Sequence, residues 1–83
     1  MRVLRKLIEI ITTIAEKYPN IKAEIYRNNL RLKFNMQDGK NETLGITEHN
    51  ARLNVLIKST NITKKDLSVE DVIELIKQMS EVN

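Results

Sequence analysis

His49 is the single histidine in an 83-residue chain that contains no cysteine, so any imidazole catalysis or metal ligation has to begin there. A general base needs a nucleophile or an orienting carboxylate within reach, and a metal needs several donors at set spacing. Glu48 is the only acidic residue near His49 in sequence, and a solvated turn histidine is the ordinary reading. The lack of cysteine removes disulfides, thiolate zinc sites and cysteine nucleophiles together. Gly39 and Gly45 are too isolated to build a phosphate-cradling loop of the P-loop or Rossmann kind. Asp38 and Glu42 flank a turn, which suits turn chemistry and a surface carboxylate. No catalytic residue, metal ligand or cofactor is expected, and the chain does not read as an enzyme.

The residues that share a chemistry are basic: Lys22, Arg31, Lys33, Arg52 and Lys58, with Tyr26 among them. Strands could bring them to one surface. The stretch Ile21 to Met36, IKAEIYRNNLRLKFNM, alternates apolar and polar side chains about Asn28-Asn29. A two-residue loop there sets Ile25 opposite Leu32, Ala23 opposite Phe34 and Ile21 opposite Met36 on one face, because side chains alternate with period two. The other face then pairs Tyr26 with Arg31, Glu24 with Lys33, and Lys22 with Asn35. A type I′ turn needs positive φ at both loop positions, which Asn tolerates better than most residues.

The flanking segments supply a roof. From Val3 to Tyr18 the apolar residues recur at helical spacing and cover nearly half of the wheel, and Pro19 ends the helix near Lys17 or Tyr18. After the hairpin, a three-residue loop Gln37-Asp38-Gly39 with Gly39 left-handed sets Leu32 opposite Leu44 and Leu30 opposite Ile46. Glu42 then faces inward, where fraying or a bulge is expected. Thr47 to Thr60 has two readings: a strand presenting Leu53, Val55 and Ile57 inward after a turn over Glu48 to Ala51, or a helix capped by Thr47. Strict alternation and the Val-Leu-Ile content favour the strand. In it Ile46 meets Leu53 and Leu44 meets Val55. Thr60 to Leu67 reads as a polar loop. Ser68 then caps a second helix that has Glu70 and Asp71 in its first turn, with Leu67 placed to pack on Val72, and this helix runs to about Glu81.

The expected fold is α+β, a two-layer sandwich: helix, four-stranded antiparallel meander, helix, in a single domain over residues 1–83. Both helices should lie on the face made by Ala23, Ile25, Leu30, Leu32, Phe34, Leu44, Ile46, Val55 and Ile57, because the opposite face is charged. Fourteen Lys and Arg against eleven Asp and Glu leave a net charge of +3, which permits an anionic partner without requiring one. Glu9 and Glu16 interrupt the apolar N-terminal run and argue against a secretory signal, and no run is long enough to span a membrane. A reducing, cytoplasmic setting is the expectation.

The outer sheet face should carry Lys22, Glu24, Tyr26, Arg31, Lys33, Asn35, Thr43, Arg52, Asn54, Leu56 and Lys58. In kind it is similar to basic, ring-bearing sheets that bind nucleic acid through phosphates and stacked bases. The motif of the RNA-recognition sheet is absent. The helix opening Ser68-Val69-Glu70-Asp71 stands where a double-stranded RNA-binding domain needs a lysine cluster, so neither family fits. The functional expectation is a small non-enzymatic binding domain that takes RNA or DNA weakly on Lys22, Tyr26, Arg31, Lys33, Arg52 and Lys58. The alternative is a protein partner, in an inhibitory or accessory role, or a homodimer, through an edge strand or Leu56, with Lys22 and Lys58 blunting the edges. Neither a membrane nor a small-molecule substrate is indicated.

Overall fold

The computed structural model describes residues 5–35, 39 and 41–81. In chain order these form α1 (Arg5–Lys17), β1 (Lys22–Tyr26), β2 (Asn29–Asn35), β3 (Asn41–His49), β4 (Arg52–Ile57), β5 (Ile62–Leu67) and α2 (Val69–Glu81). The strands make one antiparallel sheet in the order β1-β2-β3-β4-β5. The α+β class and the meander are as expected, but the sheet has five strands and not four. The segment expected to be a polar loop is β5. Its side chains from Ile62 to Asp66 are all exposed, so the apolar alternation that marks a strand is missing there. What makes it a strand is its pairing with β4, Ile57↔Ile62, Leu56↔Thr63 and Val55↔Lys64, followed by a bulge before Leu53↔Leu67. Asp66 takes φ 59 in the bulge, and its N–H donates to Asn54 Oδ1 at 3.1 Å.

Two hairpin loops sit elsewhere than the sequence predicts. The first is Arg27-Asn28, because Tyr26 pairs with Asn29, Ile25 with Leu30, Ala23 with Leu32, Glu24 with Arg31 and Lys22 with Lys33. Asn29 is a strand residue whose Oδ1 accepts the Thr47 hydroxyl at 2.7 Å, and the left-handed position falls on Arg27 at φ 59. The guanidinium of Arg27, and not that of Arg31, lies over the Tyr26 ring, 5.5 Å from its centroid. The second loop is Asn50-Ala51, at φ 51 and 63, where a four-residue turn was expected. Leu44 consequently meets Ile57, and Ile46 meets Val55. In both hairpins the pairing has moved by two residues, so every side chain keeps its expected face. The β2–β3 register matches the expectation, Leu32↔Leu44 and Leu30↔Ile46, with Gly39 left-handed at φ 83. The expected pairing of Ile21 with Met36 lies outside the described residues, as do Val3 and Leu4.

Both helices pack on the inner face. Leu7, Ile10 and Ile14 of α1 and Val69, Val72 and Ile76 of α2 form one core with Leu30, Leu32, Phe34, Leu44, Ile46, Leu53 and Val55. At about 25 cal/mol per Å² of apolar surface removed from water, this common core is the main force holding the layers together. α1 lies over β3 and touches α2, which lies over β4 and β5. β1 has no such roof: Ala23 and Ile25 point to the helix side as expected but remain exposed, Ile25 at 50%. Ile57 is half-buried.

Glu42 faces inward, yet β3 neither frays nor bulges there, because its carboxylate is satisfied. It accepts the N–H groups of Thr43 and Ser59, each at 3.2 Å, and the Ser59 hydroxyl. The α2 cap is reciprocal: the Asp71 N–H donates to Ser68 Oγ and the Ser68 N–H to Asp71 Oδ2, both at 3.1 Å. These Ser68 bonds, backbone first, hold the Asp71 carboxyl below its ordinary value. Leu67 is half-buried against the core beside this cap.

Candidate nucleic-acid interface

None of the described elements covers the outer sheet face, and the register sorts its side chains into rows across the strands. The first row runs Lys22↔Lys33↔Thr43, and the Lys58 N–H donates to the Thr43 carbonyl at 3.0 Å, which extends the β3–β4 ladder by one pair. Three lysines therefore stand in line. With strands about 4.8 Å apart, the row spans roughly 14 Å from Lys22 to Lys58. The second row runs Glu24↔Arg31↔Gly45↔Leu56↔Thr63. The third runs Tyr26↔Asn29↔Thr47↔Asn54, and His49↔Arg52 closes the far end.

Of the six residues picked from the sequence, Lys22, Lys33 and Lys58 share this row, and Arg31 stands one row in. Tyr26 lies four residues along β1 from Lys22, roughly 13 Å away, and is 69% exposed. Arg52 is apart from the group. It lies six residues, or roughly 20 Å, along β4 from Lys58, and its Nη2 donates to the Asp66 carbonyl oxygen, so it braces the β5 bulge. Nor does Lys58 blunt an edge, since β4 is an inner strand. Lys65 was missed: with Thr63 outward, alternation along β5 sends Lys65 outward as well. Nothing in the sequence of a segment with no buried side chain before Leu67 could have revealed it.

Glu24 Oε1 lies 3.6 Å from Lys33 Nζ, a diagonal contact and not the direct opposition expected. Both groups are largely exposed, so the pair is worth about 0–1 kcal/mol and leaves the lysine free to exchange partners. Glu24, Tyr26, Asn29 and Arg31 line a shallow depression of about 300 Å³. It offers a ring, a guanidinium, an amide and a carboxylate to whatever enters. Beside it Gly45 has no Cβ, and one built there would meet nothing within 4 Å, so the floor between Arg31 and Leu56 is open. The sheet face is basic, whereas α2 carries Glu70, Asp71 and Glu74 against Lys77.

Among the described residues no three His, Cys, Asp or Glu side chains come together as a metal site. No described helix is long and apolar enough to cross a membrane. His49 is exposed at the end of β3, opposite Arg52. Fold and face together define a small α+β domain with an open, basic antiparallel sheet. Compared with models of protein families, with curated proteins and with solved structures, the chain matches none.

Proposed function

We propose that this domain binds single-stranded nucleic acid across the open face of its sheet. The observation that carries the reading is the row Lys22, Lys33, Lys58, with Arg31 directly behind it. A line of cations at strand spacing, crossing strands whose outward side chains among the described residues of β1 to β4 include one carboxylate, Glu24, is suited to a chain of phosphates, whose bound counterions are released on contact. The depression beside Tyr26 suits an unstacked base. Arg27 already covers one side of the ring, leaving the other for stacking, and the amide of Asn29 and the carboxylate of Glu24 are placed for base edges. A duplex offers no free base to that depression, so single strands are preferred.

Fluorescence anisotropy with labelled RNA and DNA oligomers, single- and double-stranded, at two salt concentrations tests the reading. Four phosphate contacts give a log affinity against log salt slope of about −3 on single strands. Arg31→Glu with Lys33→Glu abolishes binding and leaves the thermal melt nearly unchanged, since both side chains point away from the core. Tyr26→Ala weakens single-strand binding by roughly 1 to 3 kcal/mol and leaves any duplex binding alone. The comparison of RNA with DNA decides which is the ligand. No binding to any of the oligomers at low salt overturns the proposal.

A further inference from the structure

The two edges of the sheet are treated differently. β5 carries the devices that keep a strand edge from pairing with another chain: a bulge at Asp66, and Lys64, which pairs with inward-facing Val55 and so puts a charge on the helix side. β1 has neither a bulge nor an inward charge, and its Lys22, expected to blunt the edge, points to the outer face. It is regular from Lys22 to Tyr26, contains no proline, and shows only Ala23 and Ile25 on the helix side. Next to it, between α1 and β1, lies an open apolar groove of about 340 Å³ lined by Ile11, Ile14, Ala15, Pro19, Ile21 and Ala23. Ile8, 53% exposed, stands one heptad before Ala15 on the same flank of α1.

We infer that β1 pairs with β1 of a second copy of this chain, antiparallel about a two-fold axis at Ala23, to give a continuous ten-stranded sheet. This goes beyond the nucleic-acid reading and does not depend on it. The argument rests on hydrogen-bond parity and on charge. In a hairpin closed by a two-residue loop, the flanking pair Tyr26 and Asn29 is hydrogen-bonded, and bonding alternates along the strand. Glu24 and Lys22 then bond toward β2, and the backbone groups of Ile21, Ala23 and Ile25 face the free edge. The Ile21 N–H is already taken by the Tyr18 carbonyl at 3.1 Å, in keeping with this parity.

A two-fold register must pair outward-bonding residues with each other, so the axis passes through a residue and not between two. Centred on Lys22, it opposes Lys22 to itself. Centred on Glu24, it opposes two carboxylates. Centred on Ile21 or Ile25, it runs the strand against Pro19 or against the Arg27 loop. Centred on Ala23, it opposes Lys22 to Glu24 of the second copy, twice, at the closer non-hydrogen-bonded positions, and Ile21 to Ile25, twice, on the apolar side. Ala23 exchanges two hydrogen bonds with its symmetry mate, and each Ile25 N–H reaches an Ile21 carbonyl. The strand is thus self-complementary in charge, in apolar side chains and in backbone groups at this one register. The two apolar grooves meet across the axis.

Sedimentation velocity without nucleic acid, over a range of protein concentrations, tests the pairing. A reversible dimer is expected. Lys22→Glu should raise its dissociation constant about tenfold or more, because two attractive cross-strand pairs become repulsive. Lys22→Glu combined with Glu24→Lys should restore it, since the two signs are only exchanged. Ile25→Lys should give monomers whose melt at low concentration matches that of the parent, because the position is half exposed in the free chain. A chain that stays monomeric at the highest concentration reached overturns the inference. So does a dimer indifferent to Lys22→Glu and Ile25→Lys, and so does a failure of the double exchange to restore the dimer. Nucleic-acid binding is read separately through Arg31 and Lys33, so the failure of either proposal is told apart from the failure of the other.

Discussion

The backbone N–H of Leu7 donates to Oε1 of Glu48 at 3.2 Å, across 41 residues of sequence. Leu7 lies in the first turn of α1, where amides have no partner within the helix. That turn contains no acidic residue of its own, and β3 supplies the carboxylate instead. Through this bond the helix is tied in register to the sheet it covers. Glu48→Ala should therefore lower stability by about 0.5 to 2 kcal/mol in urea denaturation, the range for loss of a helix cap. Glu48→Gln keeps an acceptor oxygen and should cost less. Equal losses for the two would mean that the charge alone matters and the bond does not.

The Asn50-Ala51 loop is strained at Ala51, whose φ of 63 is disfavoured for a residue with a Cβ. Ala51→Gly should raise stability by about 1 kcal/mol, giving the Asn-Gly pair that type I′ turns prefer. Arg27→Gly relieves a similar strain but forfeits the contact with Tyr26, so a smaller gain is expected. Asn29→Gly, by contrast, should destabilise, because it removes the acceptor of the Thr47 hydroxyl from a strand position. Thermal melts of the three variants check the ordering.

Leu32→Ala and Ile76→Ala should each cost about 2 to 5 kcal/mol, since both side chains are buried in the core shared by the sheet and α2. Leu56→Ala should cost far less, because this side chain points to the open face and is 39% exposed. A Leu56→Ala loss as large as the others would contradict the outward placement of that side chain.

The Ser68–Asp71 cap should be sensitive to acid. The carboxyl of Asp71 is held below its ordinary value in the folded chain, first by the Ser68 backbone N–H and then by the Ser68 side chain. A depressed carboxyl contributes stability that is present above the unfolded value, near pH 4, and is lost as pH falls through the folded one. The stability difference between the parent and Asp71→Asn should accordingly shrink on acidification below about pH 4. A difference constant from pH 7 to pH 2 would show that the ionised cap contributes nothing.

Much of this molecule is legible in its side-chain pattern, and the reason is periodicity. Alternation through Ala23, Ile25, Leu30, Leu32 and Phe34 assigns an inside and an outside to β1 and β2, and the helical spacing of Leu7, Ile10 and Ile14 does the same for α1. Such patterns cannot detect a shift of two residues, which returns every side chain to the same face. The outward set, including Lys22, Arg31, Lys33 and Lys58, was therefore readable, as was Ser68 as a cap, because its partner Asp71 is local. Which of those cations stand in one row was not readable. That depends on whether the turn closes at Arg27-Asn28 or one residue later, a choice made by contacts such as Thr47 with Asn29 that join residues distant in sequence. β5 lay hidden for a related reason: an edge strand whose side chains stay exposed from Ile62 to Asp66 needs no apolar alternation, only a neighbour to pair with. The cap from Glu48, the carboxylate of Glu42 satisfied by Ser59, and the bare flank of β1 likewise exist only once the layers are stacked. Each depends on where a helix or loop comes to rest on the sheet, and local periodicity carries no record of that.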